Sequence, residues 1–287
     1  MLIDFHTHIL PPAFRQGRAR YSERDATFRA LFPSLRAAMA TAEDLLAALD
    51  GAGLDAAVAL GYGWTDLDVA REANDYLLES AAKHPRRIIP FCSVNPAWGE
   101  AALREAQRCV RQGARGIGEL HPDTQGFSLT DQAVMGPLME LARSLRLVVL
   151  THASEPVGHA YAGKGSVTPA VLAPFIHRYP DVPIVCAHWG GGLPFYALMP
   201  EVRQGLANAF VDTAVSPFLY DKEVFTLAPK LIGVEHVLFG SDFPLLKPSR
   251  VLAQARAAEL TDAQRQAILG GNAQRLLGLV DLVRPIH

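Results

Sequence analysis

Apolar positions in this chain fall into short runs separated by longer amphipathic stretches. The first run is Leu2-Ile-Asp-Phe-His-Thr-His8, with Leu2, Ile3 and Phe5 apolar. Others follow at 56–60, 88–94, 116–120, 147–152, 182–188, 209–212 and 237–242. Such runs, four to seven residues long and bounded by Gly, Pro or polar residues, predict buried strands. Between them the apolar spacing is helical. Thr41 is a candidate N-cap, Leu45, Leu46 and Leu49 supply one face, and Gly51 or Gly53 ends the segment. Further helices are expected at about 66–83, 100–112, 131–145, 171–177, 193–206 and 224–232, with three more pieces after 242 and Gly270-Gly271 between the last two.

Strands alternating with helices predict a parallel sheet covered on its outer side. Eight such units in 287 residues predict an α/β fold, a closed (β/α)8 TIM barrel, with an open doubly wound sheet as the alternative. No Gly-x-Gly-x-x-Gly opens a helix, and no linker or low-complexity tract interrupts the pattern, so residues 1–287 are expected to form a single domain. One stretch breaks the rhythm. Residues 13–39 carry Arg15, Arg18, Arg20, Arg24, Arg29 and Arg36 with poor periodicity. They read as an insertion over the end of the first strand, from which one arginine is expected to hold a substrate carboxylate.

Composition narrows the function classes. Lys plus Arg number 27 and Asp plus Glu 29, a net charge of −2, so neither nucleic acid nor another polyanion is an expected partner. Cys92, Cys109 and Cys186 are few, odd in number and without a Cys-x-x-Cys, which suits a reduced, cytoplasmic setting. No apolar run reaches membrane-spanning length, and Asp4 and His6 interrupt the N-terminal stretch where a signal peptide needs apolar residues. The expected partner is a small-molecule substrate; the sequence is compatible with a homo-oligomer.

The chemistry collects at strand ends. Side chains two apart in a strand share a face, so His6 and His8 point the same way and suit a divalent cation such as zinc. Glu119, His152, His188 and Asp242 lie at or near the ends of the fourth, fifth, sixth and eighth strands. In a barrel those ends form one mouth. The loop after His152 adds His159, Tyr161 and Lys164, candidates to contact an anionic or hydroxylated substrate, and Trp189 places a ring beside His188.

Asp4-Phe-His-Thr-His8, Thr151-His152, Ala187-His188-Trp-Gly-Gly and Gly240-Ser-Asp-Phe-Pro244 resemble the amidohydrolase superfamily. They are most similar to its branch containing aminocarboxymuconate-semialdehyde decarboxylase, whose C-terminal helix Gly271–Gly278 also resembles. The resemblance implies a metal-dependent (β/α)8 barrel holding zinc or a similar metal, one or two ions. It makes His6, His8 and Asp242 ligands, His152 a ligand of the same or a second metal, and His188 a ligand or acid/base. Decarboxylase-like members do not normally carry a carboxylate where Glu119 stands, whereas hydrolytic relatives such as TatD-like deoxyribonucleases use one as a metal ligand. Metal-bound water has a pKa lowered toward ~7, and Asp242 could take the proton from that water. The leading expectation is therefore a metal-dependent hydrolase of an amide, ester or lactone in a small carboxylated molecule. The alternative is a decarboxylase; a nuclease and a non-catalytic metal-binding barrel rank below both.

Overall fold

Eight parallel strands pair in chain order: β1 Ile3–His8, β2 Ala56–Leu60, β3 Ile88–Cys92, β4 Gly116–Leu120, β5 Val148–Thr151, β6 Ile184–Cys186, β7 Ala209–Asp212 and β8 Val237–Leu238. The sheet closes where β1 meets the chain after β8, through Phe5 N–H to Phe239 O and His8 N–H to Phe243 O, both 2.7 Å. This is the (β/α)8 barrel that the alternation predicts. The computed structural model describes residues 1–161 and 163–279. Among them no helix is long and apolar enough to cross a membrane.

Two layers of apolar residues hold the barrel. Inside it, Ile3, Phe5, Val58, Phe91, Val148 and Val185 come from strands on opposite sides and meet in one cluster, closed below by Ala273 and Leu277. Outside, the opposite faces of the strands meet the helices, as where Leu45 and Leu49 of the helix Ala42–Ala52 are fully buried. Each such leucine contributes roughly 1.5–3 kcal/mol. The helix begins with a reciprocal capping box between Thr41 and Asp44, and Gly53 ends it at φ 72°, a conformation that favours glycine.

Several strands are shorter than their apolar runs, β6 and β8 among them. After Cys186 the chain turns at His188 and Trp189, with φ 56° and 57°, and Asp242 sits at φ 65°. These left-handed residues stop the pairing early, so β6 and β8 end before the runs 182–188 and 237–242 do. The expected helix at 193–206 likewise splits into Leu193–Tyr196 and Pro200–Gln204.

The insertion has a core of its own. Short helices at Pro12–Gln16, Arg18–Arg24 and Ala26–Leu31 bring Phe14, Tyr21, Phe28 and Phe32 against Trp64. Asp25 fastens it to the loop after β2. This fully buried carboxylate accepts the N–H groups of Phe28, Thr65 and Asp66 at 2.7–2.8 Å and the Thr65 hydroxyl at 3.1 Å.

Candidate metal centre at the barrel mouth

His6 and His8 aim Nε2 at the same point, 3.1 Å apart. His6 Nδ1 lies 2.8 Å from Asp212 Oδ2, and a carboxylate only accepts. Nδ1 therefore carries a proton, and a neutral His6 would present its lone pair at Nε2. Around these two nitrogens sit Glu119 Oε2, at 3.6 and 3.5 Å, and Asp242 Oδ1, at 3.8 and 3.4 Å. Lone pairs and carboxylate oxygens so close together repel unless a positive charge lies among them.

The wider cluster puts Glu119 at its centre. Its Oε1 accepts from His152 Nδ1 at 2.9 Å and lies 3.6 Å from His188 Nε2. Three overlapping groups are close enough to hold an ion: His6, His8 and Glu119; His6, His188 and Asp242; Glu119, His152 and His188. The donor set fits a divalent cation held by imidazole and carboxylate. His152 engages its other nitrogen with Ser154 Oγ at 3.2 Å.

The electrostatics follow from this crowding. Burial acts to raise the pKa of Glu119, but His6 and the hydrogen bonds from His152 and His188 hold it well below the usual carboxylate range. Burial also opposes a charged His188, yet Glu119 outweighs it and the pKa of His188 is raised. His121 stacks on His152 with centroids 4.3 Å apart, and burial, then the neighbouring His152, pushes it down to about 3. Asp4, beneath the site, accepts from Ser241 N–H at 2.9 Å, and burial pushes it up to about 7.

Backbone contacts fix these positions. Asp242 N–H donates to His6 O at 2.8 Å. Gly240 is small because a Cβ there would meet His6 Cβ at 2.8 Å. Gly191, at φ 58°, passes so close to Ser154 that a Cβ would stand 2.2 Å from its carbonyl oxygen.

All six strand-end residues, His6, His8, Glu119, His152, His188 and Asp242, come together. The residues expected to contact substrate have partners within the chain. Trp189 is fully buried, donates to Ser216 Oγ at 2.9 Å and packs edge-on against Phe225, so its ring belongs to the wall. Lys164 Nζ donates to the carbonyls of Val157 and His159 at 2.7 and 3.2 Å, tying the loop to itself. Tyr161 donates to Glu155 at 3.1 Å, and His159 is exposed beside the Tyr161 ring. Four of the six arginines have partners within the chain, Arg15 at Met39 O, Arg18 at Ala37 O, Arg24 at Asp66 and Arg29 at Ser22 O, and Arg20 lies over the Tyr21 ring.

Asp212, Tyr62, Ser154 and His121 join the site without having been picked out from the sequence. Asp212 carried a usable signal, since it is a carboxylate at the end of an apolar run like the others.

The sequence profile of the family described as Amidohydrolase matches residues 3–279. The chain is 25% identical over 249 residues to the 2-amino-3-carboxymuconate-6-semialdehyde decarboxylase of Dictyostelium discoideum, covering 74% of this chain and 67% of that protein. It is 24% identical over 258 residues to a gamma-resorcylate decarboxylase of Polaromonas, covering 74% and 77%. Among solved structures, 5-carboxyvanillate decarboxylase from Sphingomonas paucimobilis superposes with a TM-score of 0.78 at 17% identity, over 96% of this chain and 98% of that one. The enzyme from Novosphingobium aromaticivorans, solved with manganese, gives 0.79 at 20%, over 97% and 96%.

These comparisons overturn the leading expectation. The named relatives are decarboxylases, so hydrolysis gives way to the alternative, and an enzyme rather than a non-catalytic barrel is supported. The weight placed on Glu119 misled because a carboxylate there is satisfied by surrounding imidazoles, with no hydrolytic step required. The chain belongs to the amidohydrolase family, in the branch of that superfamily that contains aminocarboxymuconate-semialdehyde decarboxylase.

Proposed function

We propose that this protein is a divalent-metal-dependent decarboxylase of a small carboxylic acid, aromatic or unsaturated like the acids named for its relatives. The observation that carries the reading is the convergence of His6, His8, Glu119 and Asp242 at the mouth of a chain whose curated relatives are decarboxylases. Those four residues would hold the ion, zinc or manganese by donor type. When bound, it supplies positive charge that orients the substrate's carboxylate or an adjacent oxygen. The described residues act as one domain, with 13–39 as its cover.

The remaining residues handle the proton. Decarboxylation breaks a carbon–carbon bond, leaves the electron pair on carbon and releases CO2, so that carbon must gain one proton. His188 is the donor: its Nε2 faces the centre of the cluster, 3.6 Å from Glu119 Oε1. Glu119 stabilises the imidazolium, and His152 orients Glu119 through the 2.9 Å bond. Water afterwards restores the proton to His188. The surrounding wall is buried, which strengthens each of these interactions.

The test is CO2 release from 2,6-dihydroxybenzoate, 5-carboxyvanillate and 2-amino-3-carboxymuconate-6-semialdehyde. Protein stripped by chelator is compared with protein reloaded with zinc or manganese. Metal-dependent CO2 release from at least one acid is expected, with His188→Asn lowering kcat by about 100-fold or more and KM little. Loaded protein that releases no CO2 from any of them would overturn the reading.

A further inference from the structure

His6 and His8 offer the same atom to the same point, yet they are held in different ways. His6 has a carboxylate partner, Asp212, at Nδ1. His8 Nδ1 is buried and has no hydrogen-bond partner among the described residues. A ligand histidine ordinarily donates its second N–H to an acceptor that fixes the tautomer and ring angle. His8 lacks that device.

What it has instead is a ring. Tyr62, two residues past the end of β2, stacks on His8 with centroids 4.1 Å apart and an interplanar angle of 14°. Tyr62 is itself fixed on several sides. Its carbonyl accepts from Ser93 Oγ and from Trp64 N–H. Its ring meets Phe32 edge-on, centroids 5.4 Å apart at 87°, and lies 5.4 Å from the Trp64 ring. Phe32 follows the last short helix of the insertion, so the cover presses on Tyr62 and Tyr62 lies flat on His8. No hydrogen bond from the Tyr62 hydroxyl to the chain is found among the described residues.

A flat contact restricts rotation of the imidazole, which the missing Nδ1 bond would otherwise do. It also favours the ligated state. An imidazole that gives its lone pair to a cation gains positive charge, and the electron-rich face of a phenol attracts positive charge.

We propose that Tyr62 is a positioning residue for metal binding, its ring orienting His8 as the Asp212 carboxylate orients His6. This rests on the divalent-metal reading above. The ring carries the effect, so the hydroxyl is dispensable for it.

The experiment titrates chelator-stripped protein with Zn²⁺ and Mn²⁺ by calorimetry and records the visible spectrum of the Co²⁺ form. Tyr62→Phe should bind within about twofold of the parent. Tyr62→Leu should bind roughly 10- to 100-fold more weakly and shift the Co²⁺ bands. Tyr62→Met, which fills the space without a flat face, replaces Tyr62→Leu if that variant fails to fold, with the same expected loss. Phe28→Leu removes packing from the same aromatic cluster without touching His8 and should bind like the parent. Parent-like binding by Tyr62→Leu or Tyr62→Met overturns the proposal. So does Tyr62→Phe losing as much as Tyr62→Leu, or Phe28→Leu losing as much. A parent that binds neither metal overturns the metal reading and this proposal together. A parent that binds, with an unaffected Tyr62→Leu, overturns this proposal alone.

Discussion

Asp212 joins His6 to the strand beyond it: Oδ2 lies 2.8 Å from His6 Nδ1, while Oδ1 accepts the N–H groups of His188 and Ala214 at 3.0 Å each. One buried carboxylate thus sets the tautomer of a ligand on β1 and the backbone that carries His188. Burial opposes its charge, yet the neighbouring His6 imidazole holds its pKa below the ordinary range. Asp212→Asn keeps the shape and removes the charge. We expect metal affinity to fall about 10- to 100-fold with the fold retained, read by calorimetric titration and circular dichroism. Unchanged affinity would remove Asp212 from the account.

The ion count follows from how Glu119 is shared. His6, His8, Asp242 and Glu119 would together serve one ion, while Glu119 is also bonded to His152. Elemental analysis of the parent should give one divalent ion per chain. His6→Ala and Asp242→Ala should lose tight retention altogether. Glu119→Gln should retain the ion more weakly and release less CO2. Two ions per chain, or full activity in Glu119→Gln, would contradict this arrangement.

Asp25 offers a test of the cover. Three of its hydrogen bonds, from Thr65 and Asp66, tie the insertion to the loop after β2, and a fourth caps its own helix at Phe28. Asp25→Ala leaves those buried donors without an acceptor, a loss of about 3 kcal/mol by chemical denaturation. If the cover shields the mouth, KM should rise in that variant more than kcat falls.

A pH effect on stability is expected away from the mouth, at Glu105. This buried carboxylate takes a two-point bond from Arg108, at 2.8 and 2.9 Å, and another from Asn74 at 2.8 Å. Burial alone would raise its pKa, but these bonds outweigh it and the pKa lies below the ordinary 4.5. The unfolded chain therefore takes up the proton first as pH falls. The stabilisation is complete above pH 4.5 and is lost as the pH drops through the folded-state value. Glu105→Gln should be less stable than the parent at neutral pH by about 2 kcal/mol, with the gap narrowing below pH 4.5. A gap independent of pH would show that packing, not charge, is at stake.

The barrel was legible because its signal is local. Short apolar runs such as Ala56–Leu60 and Val148–Thr151 alternate with capped helices such as Ala42–Ala52, and closure follows from their number. The strand-end histidines were legible for the same reason. Where the chain turns was not: His188 and Asp242 stand in left-handed backbone, set by packing between distant segments, such as Gly240 against His6. The arginines of the insertion could not be assigned because their partners, Met39, Asp66 and Ala37, depend on how that segment folds back. Trp189 looked like a pocket residue from its place beside His188, but the left-handed turn sends its ring into the wall.

That turn has a wider effect. Beyond β6, β7 and β8 the backbone is left-handed at His188, Val215 and Asp242, with φ 56°, 49° and 65°. A non-glycine residue there carries a conformational penalty of about 1–3 kcal/mol, met by the surrounding packing. His188 and Asp242 therefore sit inside the bend rather than downstream of it, and the packing that meets the penalty also fixes where the two side chains aim. The barrel works as a socket: its contacts are set in the strand ends and in the bends that close them.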